Sequence, residues 1–228
     1  MEIRSVSEFL DAINSEDNIF YRGQADYLWG LEPSISRINK PDFCYDMLLR
    51  NWKGVEDYLI REFKNFSVPY LTTEPKNEFD WLIHAQHHGL PTRLLDLTTN
   101  PLKALFFAIE NRDAWAQDGS VYMMSPKSIS PNTENIHLGN QIQFLRSAHI
   151  NERIAAQEGA FLLYPLDKSS LDKFGDVKNI YVNNLTKLKI PSERKPIFER
   201  ELNKLGINHR TIYPGLDGIS KTLKAGFK

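Results

Sequence analysis

Between His84 and Glu110 the chain reads HAQHHGLPTRLLDLTTNPLKALFFAIE, and hydrogen-bonding groups crowd one segment between two apolar helical runs. Gly89, Pro91, Asn100 and Pro101 are enough for the turn chemistry. Gln86, His87, His88, Thr92, Arg93, Asp96, Thr98 and Thr99 are then a surplus, the composition of a binding or catalytic loop held by a rigid scaffold.

Several chemistries are open to these residues. His84 and His88 stand four apart and could share a helix face as metal ligands with Asp96 as a third, although no HExxH pattern is present. Capping and bracing is the simpler role for the histidines. Asp96 sits among leucines, so its carboxylate needs a partner. Arg93 and Arg22 are the available cations, which makes Asp96 either a general base or a structural anchor. Asn100-Pro101 opens an apolar helix whose free N–H groups and positive dipole end favour an anion, with the Thr98 and Thr99 hydroxyls alongside.

Two constellations lie outside this segment. Arg22 ends a short apolar run and precedes Gly23, where a missing Cβ could let a ligand approach the backbone. Its planar guanidinium suits a phosphate or carboxylate, and a bracing ion pair with Asp96 is the alternative. Arg153 and Gln157 would share one face of a short helix ahead of Glu158-Gly159. On spacing alone that stretch reads as a surface turn with a glycine stop, and Tyr213-Pro214-Gly215-Leu216-Asp217-Gly218 as a turn with Asp217 capping a helix.

The elements that must position these groups can be read from periodicity. A first helix, capped by Ser5 or Ser7, would bury Val6, Phe9, Leu10 and Ile13, and Ile19-Phe20-Tyr21 reads as a short strand. Asp42 to Phe66 carries the spacing of one long amphipathic helix or of two joined near Gly54. Further helices are expected at Glu78–His88, Leu102–Trp115, Asn151–Gln157, Ser192–Leu205 and Gly215–Leu223. Strands are expected at Val121–Met124, Ala160–Tyr164 and Asn179–Ile190, with a long polar loop from Ser125 to Gln143. The outcome is one α+β domain over residues 1–228, with short mixed or antiparallel strands forming a small split sheet surrounded by many helices.

Bulk composition narrows the classes. The 228 residues are 41% hydrophobic and 25% charged with a formal net charge of -1, so no global field draws the chain to nucleic acid. The segment 187–228 holds ten Lys and Arg against four Asp and Glu, a face for phosphates or merely solvated helices. Cys44 alone can form no intramolecular disulfide, and beside Phe43 and Tyr45 it reads as a packing residue in a reducing cytoplasm. No run is long and apolar enough for a membrane span, and the start MEIRSVSEFLDAI lacks the pattern of a secretory signal.

The blocks FYRGQADYLWGLEPSISR, HAQHHGLPTRLLDLTTNPLKALFFA, NERIAAQEGAFLLY and LNKLGINHRTIYPGLDGIS follow the order and spacing of the bacterial FRG domain, whose name comes from the Phe/Tyr-Arg-Gly motif, here Tyr21-Arg22-Gly23. The resemblance runs from about Val6 to Leu223. FRG domains look like divergent relatives of ADP-ribosyltransferases, some resembling toxins or phage-defence components. The resemblance implies NAD as substrate, no metal, a macromolecular acceptor and a possible neutralising partner protein. It makes Arg22 the clamp on the NAD phosphates and places Gln157-Glu158 where a catalytic glutamate would lie. LDLTTNPLKALFFA takes the place of the S-T-S strand and Ala-rich helix, although Leu97-Thr98-Thr99 replaces Ser-Thr-Ser and no Glu-x-Glu pair is present. The implied binding set is Tyr21, Gly23, Gln24, His87, His88, Thr92, Arg93, Asp96, Thr98, Asn100 and Arg153. Two rivals stand beside this reading: a non-catalytic nucleotide- or partner-binding module, and a metal-dependent nuclease or phosphodiesterase using the His/Asp cluster.

Overall fold

Strand-forming runs rich in Leu, Phe, Val and Met alternate with helical segments along the chain, and the strands meet in one sheet. A computed structural model of the protein describes residues 1–14, 19–38, 51–71, 73–130, 141–146, 152–166, 177 and 181–227. Among these the helices are α1 (Val6–Asn14), α2 (Trp52–Ser67), α3 (Glu78–His87), α4 (Pro101–Ile109), α5 (Glu152–Gln157), α6 (Lys195–Lys204), α7 (His209–Ile212) and α8 (Leu216–Ala225). The strands are β1 (Phe20–Gln24), β2 (Leu94–Thr98), β3 (Gly119–Pro126), β4 (Ile129–Ser130), β5 (Gln143–Arg146), β6 (Gly159–Leu163) and β7 (Val182–Ile190).

The seven strands form a mixed sheet in the order β4-β5-β6-β2-β1-β3-β7, antiparallel throughout except between β4 and β5. The expected α+β class holds. Two adjacencies matter most for function. Tyr21 on β1 pairs with Thr98 on β2, and Thr98 pairs with Gly159 on β6. Three segments far apart in sequence are thus placed side by side, with Arg22 one residue after Tyr21 and Gln157 two residues before Gly159.

One apolar face of the sheet is covered by α1, α4 and α6, with Phe9, Ala104, Leu105, Ala108, Val121, Met123, Phe198 and Leu202 in a single buried cluster. The other face holds Phe20, Leu95, Leu97, Met124, Phe144 and Leu162. Helix α4 lies so close to β1 that a Cβ on Gly23 would stand 1.8 Å from the carbonyl oxygen of Ala104. Gly23 therefore admits a helix to the backbone, and it also lines the cavity described below. Lys195, fully buried, donates to the carbonyls of Ala25 and Ala114 at 2.9 and 3.0 Å and ties the end of β1 to the turn after α4.

Several expectations change. Leu94 to Thr98, a loop by its residue types and a strand by the resemblance, is a strand; Leu95 and Leu97 fill one face while Leu94 fills the other, so the leucines cover both sides. Helix α4 stops at Ile109, short of the expected Trp115, and a 3₁₀ turn follows at Arg112–Ala114. Leu10 of α1 is exposed, because α1 turns only its Val6 and Phe9 edge to the core. Gly215, with φ of 82°, is the N-cap of α8, and Asp217 lies inside the first turn. Cys44, Asn151, the first part of the helix expected from Asp42 and most of the loop expected from Ser125 lie outside the described residues.

Candidate functional site

Where β1, β2 and the start of β6 run side by side, a cavity of about 380 Å³ opens at the surface. That volume lies within the range of small-molecule sites. Its lining includes Arg22, Gln24, Gln86, His87, Asp96, Thr98, Glu110, Arg153, Gln157 and Tyr213, with Tyr21, Trp29 and Phe107 as its aromatic walls. Arg22, Asp96 and Gln157, which the resemblance implies as parts of one site, face one space.

Arg22 sits half-buried in the cleft. Its Nη1 donates to the carbonyl of Asp96 at 2.6 Å, while Nε is buried with no acceptor among the described residues. Burial pulls the guanidinium below its ordinary pKa, and the nearby Asp96 carboxylate partly offsets the shift. A buried donor without a partner is destabilising by about 1–3 kcal/mol unless something binds it. The expected bracing role is therefore met only in part: one N–H braces β2, and other donors of the fork remain for a ligand.

Asp96 is exposed to the cleft, since it is the single residue of β2 whose side chain escapes the two apolar faces. Gln86 Nε2 donates to its Oδ1 at 2.7 Å, and Gln86 in turn accepts from the hydroxyl of Thr92. Thr92 is itself buried and does not line the cavity; it positions the amide that orients Asp96. The partner that Asp96 needs is thus a neutral amide instead of an arginine.

Arg93 is a clear correction to the expected site. It is buried and paired with Glu56 of α2, Nε to Oε2 at 2.6 Å, each side chain only 3% exposed. Glu56 also accepts from the backbone N–H of Arg93 at 2.9 Å. Arg93 anchors α2 to the sheet and lies outside the cavity lining.

Glu158 is a second correction. It takes a left-handed φ of 48°, unusual for a residue with a side chain, and its carboxylate is drawn off by Lys103 at 2.7 Å and the Asn100 side chain at 2.9 Å. These two partners hold its pKa below the usual glutamate range, with Lys103 the larger cause. It does not line the cavity; its neighbour Gln157 does, with Nε2 donating to Ile212 at 3.4 Å. Asn100 likewise serves structure: its Oδ1 accepts from Leu102 and Lys103 as the cap of α4. Thr98 donates to the Gln157 carbonyl at 2.7 Å, which fixes the β2–β6 corner at the cleft floor.

The histidines divide. His87 lines the cavity, and burial followed by Arg153 lowers its pKa, so the neutral imidazole is favoured. His84 and His88 meet edge to face with centroids 4.9 Å apart and pack against Phe63. Among the described residues no group of three or more His, Cys, Asp or Glu is arranged around a common metal position, so the metal set read from His84, His88 and Asp96 is not formed.

Glu110 and Tyr213 were missed by the sequence reading. Tyr213 donates to both carboxylate oxygens of Glu110, at 2.8 and 2.7 Å, and the guanidinium of Arg153 lies over its ring at 5.1 Å. Burial raises the Glu110 pKa, against the opposing pull of Tyr213, Lys221 and Arg153. Burial first, then Glu110, pushes the Tyr213 phenol far above its usual value. One signal was available: a glutamate capping the C-terminus of an apolar helix meets the negative end of its dipole, a place where carboxylates are disfavoured.

Among the described residues no helix is long and apolar enough to cross a membrane. Residues 17–117, which hold Arg22, Asp96 and Glu110, match the family described as FRG domain. No curated protein and no solved structure matches the chain.

Proposed function

We propose that this chain, whose residues 17–117 match the FRG domain, is an NAD-binding enzyme of ADP-ribosyltransferase type, working in the cleft between β1, β2 and β6. The observation that carries the reading is the juxtaposition of Arg22, Asp96, Thr98 and Gln157 in one cavity, with a buried guanidinium Nε that has no acceptor among the described residues.

Each group then has a task. Arg22 presents its free donors to the pyrophosphate, where a planar fork gives bidentate, charge-assisted contacts. Tyr21, Trp29, Phe107 and Tyr213 offer aromatic surface for the rings of a dinucleotide. Breaking the bond between nicotinamide and ribose builds positive charge on the sugar, which a carboxylate on the cleft wall stabilises. Asp96, oriented by Gln86, takes that part in this reading. Gln157 can donate to or accept from a ribose hydroxyl. An acceptor macromolecule or water completes the transfer, and a toxin or defence effector is the setting in which such an activity would serve.

The test uses purified protein with labelled NAD, alone and in cell lysate, beside an Arg22→Ala variant. Nicotinamide release or label transfer by the wild type, lost in the variant, is the expected result. Neither activity in the wild type, together with no calorimetric binding of NAD, would sink the reading.

A second reading has its own support. The residue facing the cleft from the β6 corner is an uncharged glutamine, and the adjacent glutamate is latched to Lys103. A module that binds NAD or a related nucleotide without turnover fits these two facts. Such a module would gain thermal stability with NAD while releasing no nicotinamide.

A further inference from the structure

Beyond the cleft, a second cavity of about 280 Å³ is lined by Glu110, Asn111, Arg112, Asp113, His209, Lys221, Lys224 and Ala225. Glu110 and Asn111 line both cavities, and Glu110 is the ionisable residue they have in common. The wall between the two spaces therefore carries a carboxylate with access to each.

Glu110 is well held. It follows the last turn of α4, and both its oxygens accept from the Tyr213 hydroxyl, which fixes the plane of the carboxylate. The Tyr213 ring is flanked by Arg153 at 5.1 Å and Lys221 at 3.8 Å. The groups acting on Glu110 are Tyr213 from the turn before α8, Lys221 from α8 and Arg153 from α5. Around the second cavity stand His209, Arg112, Asp113 and Lys224, and Arg112 is engaged by Glu199 at 2.8 and 3.1 Å. Across the first lie Arg22, His87 and Asp96. No salt bridge engages Lys221 or Lys224 among the described residues, so an acceptor arriving through this second opening meets a basic rim.

We infer that the second cavity is the acceptor subsite of the transfer reaction proposed above, and that Glu110, at its junction with the NAD cleft, is the base that takes the proton of the attacking nucleophile. The inference rests on the NAD reading. In the step, the bond between ribose C1′ and the nicotinamide nitrogen breaks and its electron pair returns to the ring, releasing neutral nicotinamide. A lone pair on the acceptor heteroatom forms the new bond to C1′, and that atom's proton passes to the Glu110 carboxylate and then to water. A carboxylate pushed above its ordinary range by burial is a better base near neutrality than an exposed one. Glu158, tied to Lys103 and outside the cavity, cannot reach the same position.

The experiment compares wild type, Glu110→Gln, Tyr213→Phe and Glu158→Gln in the full chain. NAD affinity is read by calorimetry and nicotinamide release is followed from pH 5 to 9. Circular dichroism confirms that each variant is folded. Glu110→Gln is expected to bind NAD within threefold of wild type, to lose roughly a hundredfold in kcat, and to lose the acidic limb of the pH profile. Tyr213→Phe frees one restraint on that carboxylate and is expected to move the acidic limb; Glu158→Gln leaves the limb in place. Turnover by Glu110→Gln within threefold of wild type would overturn the inference and leave the transferase reading standing, as would an acidic limb lost only in Glu158→Gln. Wild type that binds NAD without turnover also overturns it, in favour of the binding module. Wild type that neither binds nor turns over NAD removes both readings together.

Discussion

Arg22 and Arg93 are the same residue type on neighbouring strands or at their edge, and the fold treats them in opposite ways. Arg93 is sealed against Glu56 with two hydrogen bonds to that carboxylate, one from its side chain and one from its backbone. Arg22 has one carbonyl acceptor and a buried Nε that meets no acceptor among the described residues. The first arginine meets a carboxylate of its own fold outside the cavity, although its Nη2, like Arg22 Nε, finds no acceptor among the described residues. The second lines the cavity with no carboxylate hydrogen-bonded to it among the described residues, which leaves its fork open to a ligand. An arginine in a motif therefore announces neither role; the partners available to it decide.

The sharpest break in this comparison comes from removing the partner of the sealed arginine. Glu56→Ala leaves a buried cation unpaired and is expected to lower unfolding free energy by about 3–5 kcal/mol in chemical denaturation. Replacing both Glu56 and Arg93 by methionine should restore most of that loss, because a buried pair is often matched by well-packed apolar residues. A loss below about 1 kcal/mol for Glu56→Ala would mean that the pair does not anchor α2.

Arg22→Ala should show the reverse pattern. Its own fold makes little use of the side chain, so unfolding free energy should stay within about 1 kcal/mol of wild type. NAD affinity should fall at least tenfold, or about 1.4 kcal/mol. Arg22→Lys should not recover it, since an ammonium lacks the planar fork. A large stability loss with unchanged affinity would make Arg22 a second Arg93 and leave the cleft without its anion contact.

How much of this was legible follows from the kind of information each residue carries. The α4 helix was plain from Asn100-Pro101 and the apolar run behind it, because capping and burial are local signals. The strand at Leu94–Thr98 showed only through the family resemblance, because its four buried residues fill both faces without alternation and turn-like neighbours on each side suggest a loop. Arg22, Asp96 and Gln157 could be picked out by type, but their convergence depends on the pairing of β1, β2 and β6, which periodicity does not encode. Assigning Arg93 to the site failed because Glu56 lies 37 positions earlier and nothing local links them. The error at Glu158 has another source. Its left-handed backbone turns the side chain towards Lys103 while Gln157 takes the cleft, and one residue of difference at a strand corner reverses the facing.

Glu110 and Glu158 give the smallest and most discriminating test, since the fold moves their pKa values in opposite directions. Glu158 is lowered by Lys103 and Asn100. Its contribution to stability is present above the ordinary glutamate pKa and is lost as pH falls through the lowered one. Its side chain is 45% exposed, so solvent screening limits the effect to a few tenths of a kcal/mol. Glu110 is raised by burial. Its contribution is present below the ordinary value and is lost as pH rises through the raised one, because the folded state then holds a desolvated charge. Glu158→Gln should therefore lose stability relative to wild type on going from pH 3 to 7, and Glu110→Gln should gain it. Urea denaturation at a series of pH values would read the two difference curves, which are expected to slope in opposite directions. Parallel slopes would place both glutamates in one kind of environment and remove the contrast between a latched carboxylate and one kept available to the cleft.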